Sequence, residues 1–153
     1  LITKAVVEEF PKRFLKQPAV LWISESGAKV VLQDDRLMRQ LNLPIDQQRL
    51  LPDLILADLG QEHVLLVFVE IVATDGPMTE GRKNDLLKLV EAAGFRRNQV
   101  AFVSAFEERA SAPLKKRFSG IATDSLVWCM SEPELLIWLG EHYGCPFELE
   151  SSA

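Results

Sequence analysis

Two apolar runs on either side of one short polar turn restrict this chain more than any other feature. Residues 53–58 and 64–72 each read as a strand, and Leu59-Gly60-Gln61-Glu62-His63 between them has the composition of a tight connection. An antiparallel hairpin is expected. If it turns symmetrically about Gln61 and Glu62, Asp53 falls opposite Glu70 and the two side chains share a face. Directly opposed residues have Cβ atoms about 4.5–5.5 Å apart, so two carboxylates placed there repel unless a cation lies between them.

The flanking sequence supplies the rest of an α/β fold. Val6, Val7, Phe10 and Phe14 recur at helical intervals over 3–15, with Pro11 able to split the segment. Short apolar runs at 20–24 and 29–32 surround Ser26-Gly27 as a second hairpin. Asp34 caps a helix to about Leu41, which Pro44 prevents from continuing. Thr79 caps a helix over 80–93, with Leu86, Leu87, Leu89 and Val90 on its buried side and Gly94 at its end. A strand over 99–106, a partly helical stretch over 109–118, a strand over 125–130 and a helix over 133–143 complete the order. Hairpins first and crossover helices later predict a mixed central sheet with an antiparallel hairpin portion, flanked by helices.

With 153 residues, 48% of them hydrophobic and 25% charged, the chain reads as one soluble globular domain over 1–147 with a frayed polar tail over 148–153. Cys129 and Cys145 lie far apart without a CxxC spacing, which disfavours a zinc site or a disulfide framework and points to a reducing, cytoplasmic compartment. The longest apolar run, 64–69, is far short of a membrane span, and Lys4, Glu8 and Glu9 break any secretory segment near Leu1. A net charge of −5 disfavours a general nucleic-acid coat protein but leaves room for a local basic face.

Among the polar residues, the Asp53/Glu70 pair carries the clearest chemistry. Magnesium takes one or two protein carboxylates together with waters and phosphate oxygens, which suits phosphodiester chemistry. The plain alternative is that both acids end strands at the surface. Arg96-Arg97 and the run Lys115-Lys116-Arg117 could hold phosphates or form a solvated face. Glu25 could add a third carboxylate from the first hairpin turn, where simple exposure to water is the alternative. His63 and His142 fall in a loop and near a helix end, and Ser24, Ser26 and Ser104 lack a nucleophile-elbow context, so covalent catalysis has little support. Cys129 and Trp22, Trp128 and Trp138 read as packing groups.

The string Leu51-Pro52-Asp53-Leu54-Ile55-Leu56, then Leu65-Leu66-Val67-Phe68-Val69-Glu70-Ile71-Val72, then Asp75-Gly76-Pro77 with Arg82-Lys83, resembles the BsuBI/PstI family of type II restriction endonucleases. Val20-Leu21-Trp22-Ile23-Ser24-Glu25-Ser26 with Lys29, Ala101-Phe102-Val103-Ser104-Ala105-Phe106 and Val127-Trp128 extend the likeness over roughly 20–140. Proline-aspartate followed by a strand-borne glutamate is also similar to the wider PD-(D/E)XK nuclease superfamily. The resemblance implies a restriction-endonuclease-like fold acting on duplex DNA with Mg²⁺, with Asp53 and Glu70 as metal ligands. It further implies a metal-activated water without a covalent intermediate, a homodimer, and an additional N-terminal domain in complete members. Val72 stands where the superfamily pattern has a lysine, and Asp75 where the family has a histidine. Lys83 is then expected as the catalytic cation, with Lys29 a second candidate, and Arg82, Lys83, Lys115, Lys116 and Arg117 as DNA contacts. A nuclease-like module that binds DNA or protein without cutting is the competing reading.

Overall fold

The computed structural model describes residues 1–25, 29–44, 50–73, 76–110, 112, 114 and 118–147. Within them the chain runs α1 (Ile2–Phe14), β1 (Pro18–Glu25), β2 (Lys29–Gln33), α2 (Asp35–Gln40), β3 (Leu54–Asp58), β4 (Leu65–Ile71), α3 (Glu80–Ala92), β5 (Val100–Phe106), β6 (Leu126–Cys129) and β7 (Leu136–Trp138). The strands form one mixed sheet in the order β2-β1-β3-β4-β5-β6-β7. β4, β5 and β6 are parallel, and the pairings on either side of them are antiparallel.

The central hairpin sets the two-sided core. Leu54 pairs with Val69 and Asp58 with Leu65, the register expected of a turn centred on Gln61 and Glu62. Every residue of β3 is buried, because its two faces are covered by different helices. Leu54, Leu56, Val67 and Val69 join Val6 and Phe10 of α1 on one side. Ile55, Ala57, Leu66 and Phe68 join Met38 of α2 and Leu86 and Val90 of α3 on the other. Strands apolar on both faces therefore occupy the middle of the sheet, as burial on both sides requires.

α1 is not split by Pro11. The helix continues to Phe14, and Pro11 itself is buried. An interior proline costs a helix about 3 kcal/mol. Here Phe10 stacks with Phe14 at 4.9 Å and meets Trp128 and Phe147 edge-on at 6.3 and 6.0 Å, which anchors the turn that contains Pro11.

β1 carries a bulge. Val20 pairs with Leu56 but Trp22 with Ile55, so Leu21 is an extra residue. Leu21 and Trp22, neighbours in sequence, consequently enter the same core on the α3 side.

The expected C-terminal helix over 133–143 is replaced by β7. Leu136, Ile137 and Trp138 pair with Trp128, Val127 and Leu126. Without this strand the outer edge of β6 would present unpaired N–H and C=O groups. The chain past it is held in turn by Asp124, whose Oδ1 accepts from the backbone of Glu141, His142 and Tyr143 at 2.8, 3.0 and 3.1 Å. Of the helical stretch expected over 109–118, residues 112 and 114 are helical and Phe118 begins a short 3-10 turn to Gly120, whereas 111, 113 and 115–117 lie outside the described residues. The expected Ser26-Gly27 turn and the tail over 148–153 also lie outside them.

Asp58 closes the hairpin at the end away from Glu70. Its carboxylate accepts from Lys16 N, Gln17 N, Gly60 N and Gln61 Nε2, each at 2.9–3.0 Å. A side chain at Gly60 would place Cβ 2.9 Å from Gln17 Cβ, so that close approach requires glycine. Burial opposes the Asp58 charge, but the four donors overcome it and hold the pKa at about 2. A depressed pKa contributes stability above the ordinary value of 3.8, lost as pH falls through about 2. Asp58→Ala leaves those donors unsatisfied and should cost about 2 kcal/mol at neutral pH, read from urea midpoints. The difference from wild type should shrink towards pH 2.

Candidate active site

The approach to β3 is fixed through three consecutive carbonyls. Leu51 O accepts from Arg82 Nη2 at 2.8 Å, Pro52 O from the buried Trp22 Nε1 at 2.8 Å, and Asp53 O from Ser24 N at 2.8 Å. The β1 bulge aims the Trp22 indole at Pro52. With its backbone pinned, Asp53 turns a carboxylate oxygen to Ile71 N, 2.8 Å away at the end of β4.

Glu70 continues the face of Leu66 and Phe68, and pairs in register with Ser104 of β5. The Asp53 carboxyl lies beside that of Glu70, close enough to act on it by charge and by hydrogen bonding. Asp53 and Glu70 therefore converge, as the hairpin arithmetic requires. Burial pushes the Glu70 pKa up to about 8, and the Asp53 charge pushes in the same direction against the pull of Arg82.

Among the described residues, Arg82 is the cation paired with Glu70. Thr79 caps α3 by accepting from Arg82 N at 3.2 Å, which starts the helix beside the end of β4. From the first turn, Arg82 Nε reaches Glu70 Oε1 at 3.1 Å while Nη2 holds Leu51 O. One guanidinium thus joins the strand that carries Glu70 to the segment that carries Asp53. The loop before α3 is set by Ser104, whose Oγ accepts from Met78 N at 2.9 Å.

Lys83, expected at the carboxylates, is directed elsewhere. Its ammonium lies 2.7 Å from Glu80 Oε1 and donates to Thr123 O at 2.6 Å, with only 4% of the residue exposed. Consecutive helical residues are rotated by about 100°, so Arg82 and Lys83 cannot face one target. Glu80 accepts in turn from Thr123 N at 3.1 Å, and a clasp between α3 and the segment before β6 results. Val72 is buried with Phe106, Val127 and Ile121 and donates its N–H to Ala105 O, an apolar position without charge.

Glu25 and Lys29 pair in register at the exposed end of β1 and β2. Arg96 and Arg97 lie at the start of β5, whereas Glu70 is level with its fifth residue, Ser104. Lys115, Lys116, Arg117 and Asp75 lie outside the described residues. His63 and His142 are exposed. Two further carboxylates, Asp58 and Asp124, were not distinguished by residue type alone. Both serve as backbone caps, and the Asp58-Leu59-Gly60 turn composition was the available signal for the first.

The donor set fits a hard divalent cation. Two carboxylates converge with excess negative potential, which among the described residues the Arg82 guanidinium offsets only in part. No cluster of three or more His, Cys, Asp and Glu side chains occurs among the described residues. Magnesium needs one or two carboxylates and completes its shell with water and phosphate oxygens. The raised Glu70 pKa fixes the sign of two pH effects. Because the folded state holds the proton above the ordinary 4.5, Glu70 contributes stability fully below pH 4.5, lost as pH rises through about 8. Divalent-cation binding displaces that proton, so affinity should rise about tenfold per pH unit up to about 8. Calorimetric titration with Mn²⁺ checks this, and Glu70→Gln should abolish the slope in both stability and affinity.

The sequence and the fold match known proteins. Residues 1–142 match the family described as the BsuBI/PstI restriction endonuclease domain. The chain is 27% identical over 148 residues to the type II restriction enzyme BsuBI of Bacillus subtilis, covering 96% of this chain and 45% of that enzyme. The structure of SdaI restriction endonuclease superposes with a TM-score of 0.77 at 27% identity, covering 99% of this chain and 45% of SdaI. The chain thus spans a little under half the length of either relative. Sequence and fold lead to one assignment: the chain belongs to the BsuBI/PstI restriction endonuclease domain family.

Proposed function

We propose that this chain is the catalytic domain of a type II restriction endonuclease that hydrolyses phosphodiester bonds in duplex DNA with Mg²⁺ held by Asp53 and Glu70. The convergence of those two carboxylates on the α3 face of the sheet, with Glu70 perturbed by burial and by Asp53, carries the reading. BsuBI is named as a type II restriction enzyme, and it covers 96% of this chain. When bound, the cation supplies a more acidic water and neutralises charge on the phosphate. The protein supplies position. Ile71 N fixes the Asp53 carboxylate, and Arg82 holds Glu70 against the Leu51 carbonyl.

Arg82 takes the place proposed for a catalytic cation in this reading, since Val72 is apolar and Lys83 is engaged with Glu80 and Thr123. Lys83 acts through the orientation of α3. Lys115, Lys116 and Arg117 are assigned to DNA phosphates, where clustered cations gain from counterion release. A homodimer would present one carboxylate pair to each strand of a symmetric site. The absence of charge at Val72 favours a second reading, a module that binds DNA without cutting it.

Incubation with duplex DNA and Mg²⁺ or Mn²⁺, as part of the full-length protein, separates the two. Cleavage should fall at least about a thousandfold in Asp53→Ala and Glu70→Ala while DNA affinity stays within a few-fold. No cleavage by the wild-type protein with either metal would favour the binding module. Arg82→Met should lower cleavage about a hundredfold or more. Lys83→Met should instead show first as a stability loss of about 1–3 kcal/mol, because Thr123 O loses its donor. Equal stability losses in both variants, with cleavage retained in Arg82→Met, would remove Arg82 from the chemistry.

A further inference from the structure

The cavity at the start of β5 is separate from the carboxylate pair. It has a volume of about 570 Å³ and is lined by Arg96, Arg97, Asn98, Trp138 and Tyr143, among others. Val100 and Ala101 of β5 also line it, whereas Glu70 is level with Ser104, further along the same strand. The volume falls within the range of roughly 300–1,000 Å³ typical of small-molecule sites.

Two cations line a cavity in a chain whose net charge is −5. Neither Arg96 nor Arg97 enters an ion pair among the described residues. The Arg97 guanidinium lies over the Tyr143 ring at 4.6 Å and beside Phe102 at 5.6 Å. Its hydrogen bond to Asp124 O is long, 3.4 Å. Stacking fixes the plane of the group and leaves most of its five N–H donors available. The Asp124 carboxylate also borders the cavity, but the amides of Glu141, His142 and Tyr143 engage it. Trp138 adds an aromatic wall. It is seated by Gly140, where a Cβ would overlap the indole ring.

We propose that this cavity is a second ligand site, taking a phosphate ester that carries an aromatic base, a nucleoside monophosphate unit. Arg96 and Arg97 would take the phosphate, for which the guanidinium fork is matched. Trp138 offers a stacking surface for the base, a contact that accepts any base. Asn98 adds an amide donor and acceptor at the rim. The site stands on the cavity and its own lining residues, without Asp53 or Glu70, so it is independent of the nuclease reading. The same unit could reach it as a free nucleotide or as the phosphorylated end of a nucleic acid.

The test is calorimetric titration of the chain in chelator-containing buffer, which removes any metal at Asp53 and Glu70. The probes are deoxyadenosine 5′-monophosphate, deoxyadenosine and inorganic phosphate. The monophosphate should bind saturably, with the nucleoside and phosphate each at least tenfold weaker. Arg97→Met should weaken the monophosphate at least tenfold. Arg96→Met, at an exposed position that leaves the fold intact, should weaken it several-fold, and Asp53→Ala should bind as wild type. Tighter binding of a 5′-phosphorylated single-stranded oligonucleotide assigns the site to nucleic acid, and equal affinity assigns it to the free nucleotide. The proposal is overturned by no saturable binding at millimolar monophosphate, by unchanged affinity in both arginine variants, by phosphate binding as well as the monophosphate, or by loss of binding in Asp53→Ala.

Discussion

The pinning of the Leu51-Pro52-Asp53 backbone is the constraint on which the rest of the site depends. Proline has no N–H to add to a sheet, so the chain entering β3 must be held through its carbonyls. Trp22, Ser24 and Arg82 supply the three donors from two elements distant in sequence. The bulge at Leu21 allows this, because without the extra residue Trp22 would turn to the α1 side of the sheet. A packing irregularity in one strand thus determines the position of a carboxylate on the next.

Electrostatics and packing oppose each other at that point. An apolar sheet face buries Glu70, and the hairpin register brings Asp53 against it, both of which disfavour a second negative charge. Arg82 offsets part of this without neutralising the pair. The arrangement is unfavourable for a purely structural pair of acids, for which apolar replacement would serve the core better. It is the arrangement expected where a further cation has a place.

The sequence was most legible where local and tertiary preferences agree. The β3–β4 register followed from turn composition, and Thr79 and Asp34 marked the starts of α3 and α2 correctly. The error over 133–143 arose because Pro133 and spaced apolar residues suit a first helical turn, whereas the open edge of β6 demanded a strand. Periodicity contains no information about that edge. At the site, Asp53 and Glu70 were readable from strand alternation, but the choice between Arg82 and Lys83 was not. Two adjacent cations on a helix differ only in rotation, and the rotation of α3 is set by Leu86 and Val90 in the core and by the Thr79 cap. Asp124 was invisible for a different reason. Its φ of 56° and its three backbone donors exist only once β6 and β7 have paired.

Residues 122–124 join three parts of the molecule that the sheet itself does not. Ala122 N bonds to Met78 O before α3, Thr123 is clasped by Lys83 and Glu80 of α3, and Asp124 holds the segment after β7. A segment of three residues therefore ties the start of α3, the entry to β6 and the turn after β7 to one another. Their amides should exchange with solvent as one cooperative unit rather than as three frayed ends. Local opening of the C-terminal segment would then reach Arg82, and with it the carboxylate pair, without any motion of the central hairpin.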